Sequence, residues 1–231
     1  MNAKKYRLTG FLYLLVIICA GISQAYVRGT LIVPNDALET ATNIIENIGL
    51  FRWGITLDLT AFILDAIISV LLYQMFKPFG KSIAMASSAL RLIAHPAIGS
   101  LNLLNHYLAG HVLGGADYLS AFDQAQLESL SLFFTQAHNY GYLIAGGFFG
   151  VHLLLLGVLI YRSNTIPNLL GGFLLGSGAG YLIETFGNFN VPGYEKYTAL
   201  IVGFAAAIGE ISFTLLLLFK RQFKDSSIIK K

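Results

Sequence analysis

Long runs of apolar residues, separated by short polar segments, dominate the chain. A helix of about 20 apolar residues is long enough to cross roughly 30 Å of hydrocarbon. Six spans are predicted, at approximately residues 8–27, 50–75, 82–107, 139–161, 167–186 and 197–219. The pattern therefore predicts an all-α polytopic membrane protein, in which a six-transmembrane-helix bundle makes residues 1–231 a single integral-membrane domain.

The second run carries two acidic residues inside an apolar stretch, Asp58 and Asp65 within residues 55–73. A carboxylate in the bilayer costs at least about 2.5 kcal/mol unless another group compensates for it. The two aspartates are seven residues apart, nearly two helical turns, so they share one face of the helix. We expect this face to pack against protein and the opposite Leu, Ile and Phe positions to contact lipid.

The segments between the runs predict further local structure. Residues 36–48 form a short helix at the membrane surface in the first outer loop, with Asn35 as N-cap and Gly49 as its stop. Ser120 and Asp123 resemble a capping box. A helix from there to residue 161 would be about 60 Å long, longer than a bilayer is thick, so we expect a break within 139–147.

Composition supports the membrane class. Apolar residues make up 55% of the chain and charged residues 12%, whereas soluble domains carry about 25% charged residues. The net charge of +3 does not indicate nucleic-acid binding, and Cys19 is the single cysteine. An intramolecular disulfide and a multi-cysteine metal site are therefore excluded.

The distribution of Lys and Arg predicts the orientation. The segments proposed to face inward contain Lys4, Lys5, Arg7, Lys77, Lys81, Arg162, Lys220, Arg221, Lys224, Lys230 and Lys231. The segments proposed to face outward contain Arg28, Arg52 and Lys196. This asymmetry predicts a multi-pass protein of the inner (cytoplasmic) membrane with both termini cytoplasmic. Cleavage of the first span as a signal peptide, after residues 23–25, is the alternative.

Ionisable side chains from four spans lie at a similar predicted depth. Asp65, Arg91, His152 and Glu210 are each nine to 11 residues from the cytoplasmic end of their span, about 13–17 Å into the membrane. Asp58, His95 and Glu184 continue this lining outward. Such groups usually mark pathways or sites. The simpler interpretation is that Asp65 and Arg91 pair and hold two helices together.

Known motifs add little to this picture. His95, His152, Asp65 and Glu210 could together supply metal ligands, but the sequence has no HExxH motif and no cysteine cluster. It also has no glycine-rich phosphate loop or dinucleotide fingerprint. We expect no metal and no cofactor, and the catalytic residues of any enzyme activity are unknown.

Several segments carry a resemblance to a known family. They are residues 26–59 (YVRGTLIVPNDALETATNIIENIGLFRWGITLDL), 76–78 (FKP), 148–157 (FFGVHLLLLG) and 166–171 (IPNLLG), together with Glu210. They resemble the bacterial six-span integral membrane family catalogued as domain of unknown function 4386. The resemblance implies a six-helix protein of the bacterial inner membrane, and it brings neither an activity nor a catalytic residue.

Three functions are compatible with these features. The leading one is binding or translocation of a small polar solute or a proton through a cavity lined by the candidate residues Asp58, Asp65, Arg91, His95, His152 and Glu210. The second is an intramembrane enzyme acting on a lipid or isoprenoid, with His152 or His95 as base, which we favour less. The third is a non-catalytic sensor or assembly protein. Besides the lipid bilayer, a homodimer is a candidate partner, because six spans are few for a secondary transporter.

Overall fold

The computed structural model describes residues 3–219, and every regular element in that range is helical. The predicted basic tail, with Lys220, Arg221, Lys224, Lys230 and Lys231, lies outside the described residues. The α-helices are α1 (Ala3–Gly21), α2 (Gly29–Leu31), α3 (Ala37–Glu46), α4 (Ile48–Phe76), α5 (Lys81–Leu92), α6 (Ser100–His111), α7 (Gln124–Ser163), α8 (Asn168–Asn190), α9 (Glu195–Ala206) and α10 (Ser212–Phe219). The all-α prediction is confirmed.

Five of the described helical stretches are long and apolar enough to cross a membrane. They are Lys4–Leu31, Ile48–Phe79, Gln124–Ser163, Asn168–Asn190 and Glu195–Phe219. The protein is therefore a multi-pass membrane protein. The remaining predicted span, 82–107, is third in chain order and lies in a continuous helical stretch from α5 to α6. This stretch is more polar and is not among the five helices apolar enough to cross a membrane.

One face of the polar stretch from α5 to α6 is nevertheless buried in the bundle, with Ser87, Arg91, Asn102 and His106 on it. Asn102 of α6 and His138 of α7 form reciprocal hydrogen bonds: the Asn102 amide donates to the His138 carbonyl oxygen at 2.7 Å, and His138 Nδ1 donates to the Asn102 carbonyl oxygen at 3.1 Å. Asn102 thus finds its partner on a neighbouring helix, as polar groups away from water must.

Two helix starts differ from the prediction. Asp36, rather than Asn35, caps α3 by accepting a hydrogen bond from the Glu39 amide at 2.9 Å, and Asn35 takes a left-handed conformation at φ 64°. Gly49 is no stop, because it lies inside α4. Asp123, rather than Ser120, caps α7, in a capping box with Gln126. The observed cap lies one residue beyond the predicted one in α3 and three residues beyond it in α7.

The predicted break within 139–147 is wrong, because α7 is one α-helix of 40 residues. Glycines in this helix serve close packing. A Cβ on Gly150 would lie 2.9 Å from the Gly178 carbonyl oxygen of α8, and a Cβ on Gly178 would lie 2.6 Å from the Gly150 carbonyl oxygen. Neither position can carry a larger residue without a shift of backbone, so the two glycines let α7 and α8 pack face to face.

Three long helices contain a π-helical segment, at Ile22–Arg28, Ile93–Gly99 and Ala207–Ile211. The second contains Pro96, which lacks an amide proton and cannot continue the α-helical hydrogen-bond pattern. A π-helical segment inserts an extra residue into a turn and is frequent at functional sites. These segments connect α1 to α2, α5 to α6 and α9 to α10.

The apolar core lies at one end of the bundle, next to the turn 77–80 and the turn 164–167. Its buried side chains come from α1, α4, α7, α8 and α10. They include Tyr13, Ile68, Phe76, Leu153, Leu156, Ile160, Leu174, Phe213 and Leu217. The other half of the bundle holds a smaller apolar cluster, around Ile44 and Phe51, and a large cavity.

Candidate functional site

An ion pair between Asp65 of α4 and Arg91 of α5 lies at the centre of the molecule. Each residue is 1% exposed, and Arg91 Nη2 donates to Asp65 Oδ1. The pairing considered from the sequence is confirmed. Asp65 Oδ2 has no hydrogen-bond partner among the described residues, although His95 Nδ1 lies 3.8 Å away. The pair is therefore compact, and one carboxylate oxygen is buried without a hydrogen bond from the described residues.

Arg91 is fixed by three further groups. Its Nη1 donates to the Tyr13 hydroxyl at 2.9 Å and to His152 Nε2 at 3.0 Å. Its guanidinium carbon also lies 4.5 Å from the ring centre of Tyr13 and 5.0 Å from that of Phe149. These hydrogen bonds and cation–π contacts compensate for the burial of the charge.

His152 contacts this ion pair and is buried, so it does not lie on an accessible surface. Because arginine can only donate, His152 Nε2 accepts and the ring proton lies on Nδ1. That nitrogen is 2.9 Å from the Ser87 carbonyl oxygen and 2.8 Å from the Ser87 hydroxyl. His152 is 0% exposed. Both ring nitrogens are thus occupied by protein groups.

Glu210 joins the cluster through two tyrosines. The Tyr13 hydroxyl donates to Glu210 Oε2 at 3.3 Å, and the Tyr181 hydroxyl donates to Oε1 at 3.1 Å. Since Tyr13 accepts from Arg91, a continuous hydrogen-bond chain runs from Arg91 through Tyr13 to Glu210. Glu210 takes part in none of the ion pairs found among residues 3–219.

Asp58 lies apart from this cluster, in a second buried ion pair. Arg28 Nη1 donates to Asp58 Oδ2 at 2.5 Å and to the Ser23 hydroxyl at 3.1 Å. Arg28 was assigned to an outer connection from the sequence, but it is 7% exposed at the end of a π-helical segment. Each of the two aspartates on the α4 face thus has its own arginine.

A cavity of about 750 Å³ connects the two regions. It extends from Asn188 and Glu195, at either side of the α8–α9 connection, down to Arg91 and Glu210 in the middle of the bundle. Asp65, Arg91, His95 and Glu210 line it, as does Arg28, whereas Asp58 and His152 are not among its lining residues. The cavity is within the size range of small-molecule sites.

The three π-helical segments each contribute a charged or ionisable residue to the cavity wall. These residues are Arg28, His95 and Glu210. A π-helical segment changes the direction in which the following side chains point. Here the irregular turns coincide with the polar wall of the cavity.

Sequence reasoning missed three cavity residues of consequence: Tyr142, Tyr181 and Arg28. Tyr181 had a visible signal, because it lies on the same helix face as Glu184, which was predicted to continue the polar lining, at a spacing of three residues. Tyr142 had none, because tyrosines at the ends of spans are common as interfacial anchors.

The chain belongs to the family described as "Domain of unknown function (DUF4386)", which matches residues 8–220. It is also 29% identical over 160 residues to a protein described as "Uncharacterized protein" from Archaeoglobus fulgidus. The matched region covers 68% of this chain and 77% of the relative. No solved structure matches the chain.

Proposed function

We propose that this member of the DUF4386 family is a six-span protein of the inner membrane that binds a small polar solute, or a proton, in its central cavity and translocates it. The observation that carries the proposal is the cavity of about 750 Å³, whose floor is the buried Asp65–Arg91 pair with the unpartnered Asp65 Oδ2. A purely structural ion pair needs no such space beside it. Internal volume lined by charged groups is instead typical of ligand sites.

In this proposal the helical stretch 81–111 is the third span, and both termini are cytoplasmic. The buried partners of Arg91 and Asn102 compensate for the low hydropathy of this stretch. The apolar core then lies on the cytoplasmic side and seals the cavity there. The end of the cavity at Asn188 and Glu195 then faces outward, and α3 lies at the outer surface.

The enzyme alternative is weakened by the position of His152. A general base must reach the proton that it removes, and His152 is buried with both ring nitrogens occupied. His95 lines the cavity, but its nearest charged partner is Asp65, which already pairs with Arg91.

Two glycines with free space beside them allow a direct test of the cavity. A Cβ on Gly203 or on Gly176 would meet no atom within 4 Å, and Gly203 lines the cavity whereas Gly176 does not. In a Cys19→Ser background, a charged, membrane-impermeant thiol reagent added from outside should modify the Gly203→Cys variant. It should leave the Gly176→Cys variant unmodified, because that position faces lipid.

Orientation is checked in the same experiment. The exposed positions Asp117 and Lys81 lie in segments proposed to be outside and inside, so Asp117→Cys should react from outside and Lys81→Cys should not. Reaction of Asp117→Cys without reaction of Gly203→Cys would show that the cavity is closed to outer water, and the proposal would fall. Reaction of Lys81→Cys alone would invert the topology.

A further inference from the structure

The charges around the cavity do not balance. Arg28 pairs with Asp58, which lies behind the wall, and Arg91 pairs with Asp65. Glu184 and Glu210 also line the cavity, and neither takes part in an ion pair among the described residues. The arginines are thus already used, and the cavity keeps an excess of carboxylates.

The carboxylate of Glu210 is oriented but not neutralised. Two tyrosine hydroxyls donate to it, one to each oxygen, so its direction is fixed by uncharged groups. Glu184 lies one turn from Tyr181 along α8. Asp65 Oδ2, in a residue 1% exposed, adds an unpartnered oxygen at the floor. These acceptors suit a positively charged ligand that can donate to them or lie beside them.

Aromatic rings line the cavity together with the acidic residues Asp65, Glu184 and Glu210. His95 and Phe149 have ring centres 4.8 Å apart, and Phe149 and Tyr181 have ring centres 5.2 Å apart. Tyr142 lies 6.0 Å from His95. Aromatic faces bind organic cations through cation–π attraction. The protein already holds its own Arg91 in this way, between Tyr13 and Phe149.

Size and wall composition argue against a bare ion. A volume of about 750 Å³ fits an organic molecule rather than one metal ion, and no cluster of three or more metal-ligating side chains occurs in residues 3–219. The α9 side of the cavity presents small residues, Ala199, Gly203 and Ala206. These leave an apolar surface for the body of a ligand.

We infer that the cavity takes an organic cation, an amine or quaternary ammonium with an apolar or aromatic body, whose positive charge lies beside Glu210 and Glu184. This inference rests on the proposed function, since it names the class of solute for the same cavity. The neighbouring aromatic rings contact the cationic head, and the small residues of α9 leave room for the body.

The test is binding of benzyltrimethylammonium to the purified full-length protein, measured by equilibrium dialysis. Benzyl alcohol and benzoate serve as the neutral and anionic probes of similar size. We expect saturable binding of the cation alone. Glu210→Gln keeps the volume and an acceptor for tyrosine but removes the charge, and it should weaken binding by about tenfold or more. Glu46→Gln, at an exposed position on α3, should leave binding unchanged.

A second pair of variants shows where the probe binds and does not depend on Glu210. Gly203→Leu places a side chain in the cavity and should abolish binding, whereas Gly176→Leu on the outer face should not. Cation binding that survives Gly203→Leu would overturn the inference, as would the absence of binding by any probe. Binding of benzoate or benzyl alcohol that is lost in Gly203→Leu would also overturn it, while leaving the proposed solute cavity in place. The thiol-accessibility test above reports on the cavity separately.

Discussion

Two buried aspartate–arginine pairs use the same face of α4 but have different surroundings. Asp65–Arg91 links α4 to α5 at the floor of the cavity, and its arginine contacts Tyr13, Phe149 and His152. Asp58–Arg28 links α4 to the π-helical segment after α1. There Arg28 Nη2, Asp58 Oδ1 and the nearby Tyr142 hydroxyl have no hydrogen-bond partner among the described residues.

The two pairs differ in how completely protein groups surround the arginine. We call Asp65–Arg91 the closed pair and Asp58–Arg28 the open pair. Around Arg91, both Nη atoms have protein acceptors and two rings cover the guanidinium, although Arg91 Nε and Asp65 Oδ2 have no hydrogen-bond partner among the described residues. Around Arg28, only one Nη has protein acceptors, one ring, that of Tyr142, lies 5.2 Å from the guanidinium carbon, and the residue is 7% exposed rather than 1%. The same two residue types can therefore give a rigid floor in one place and an adaptable wall in another. What differs is the number of neighbouring groups that complete the pair.

The largest effect is expected at the closed pair. Asp65→Ala leaves Arg91 buried without its counter-charge and should lower the free energy of unfolding by about 3–5 kcal/mol. Unfolding of the purified protein in mixed detergent, followed by circular dichroism, measures this. The double variant with Arg91→Ala should recover part of the loss, because no uncompensated charge then remains. A purely additive loss would contradict a direct coupling between the two residues.

A smaller effect is expected at the open pair. Asp58→Ala also removes a counter-charge, but Arg28 lies beside the cavity, where water can solvate it. The same unfolding measurement should show a loss of about 1–3 kcal/mol. A loss equal to that of Asp65→Ala would remove the distinction between the two pairs.

The smallest effects come from the serines that support each arginine. Ser87→Ala removes the hydroxyl beside His152, and Ser23→Ala removes an acceptor of Arg28 and a donor to the Gly54 carbonyl oxygen. Each should cost about 1 kcal/mol. Ser69, which bonds Ser88 of α5 at 2.7 Å, provides a comparison, since it contacts neither arginine and Ser69→Ala should leave both ion pairs unaffected. A loss of cavity access in Ser87→Ala would be the unexpected result.

Much of the helical arrangement could be predicted because hydropathy acts along the chain. The positions of the long helices follow from apolar runs, and the depth argument correctly brought Asp65, Arg91 and Glu210 toward one another. The predicted break within 139–147 was wrong because it rested on helix length alone: α7 is one α-helix of 40 residues, and its glycines, such as Gly150, provide close contact with α8. Asp58 was predicted to line the cavity, but it lies behind the wall and pairs with Arg28, because spacing gives the face of a helix and not the identity of its partner.

The sequence by itself determined that the chain is helical, that it enters a membrane, and that acids and a guanidinium inside apolar helices must find partners, because unpaired charges are costly there. Only the tertiary structure decided which arginine pairs with which aspartate, that His152 is enclosed, and that Glu210 faces two tyrosines beside a cavity. These depend on how helices distant in sequence pack together. That Arg28, His95 and Glu210 lie on π-helical segments at the cavity wall was likewise visible only in the tertiary structure.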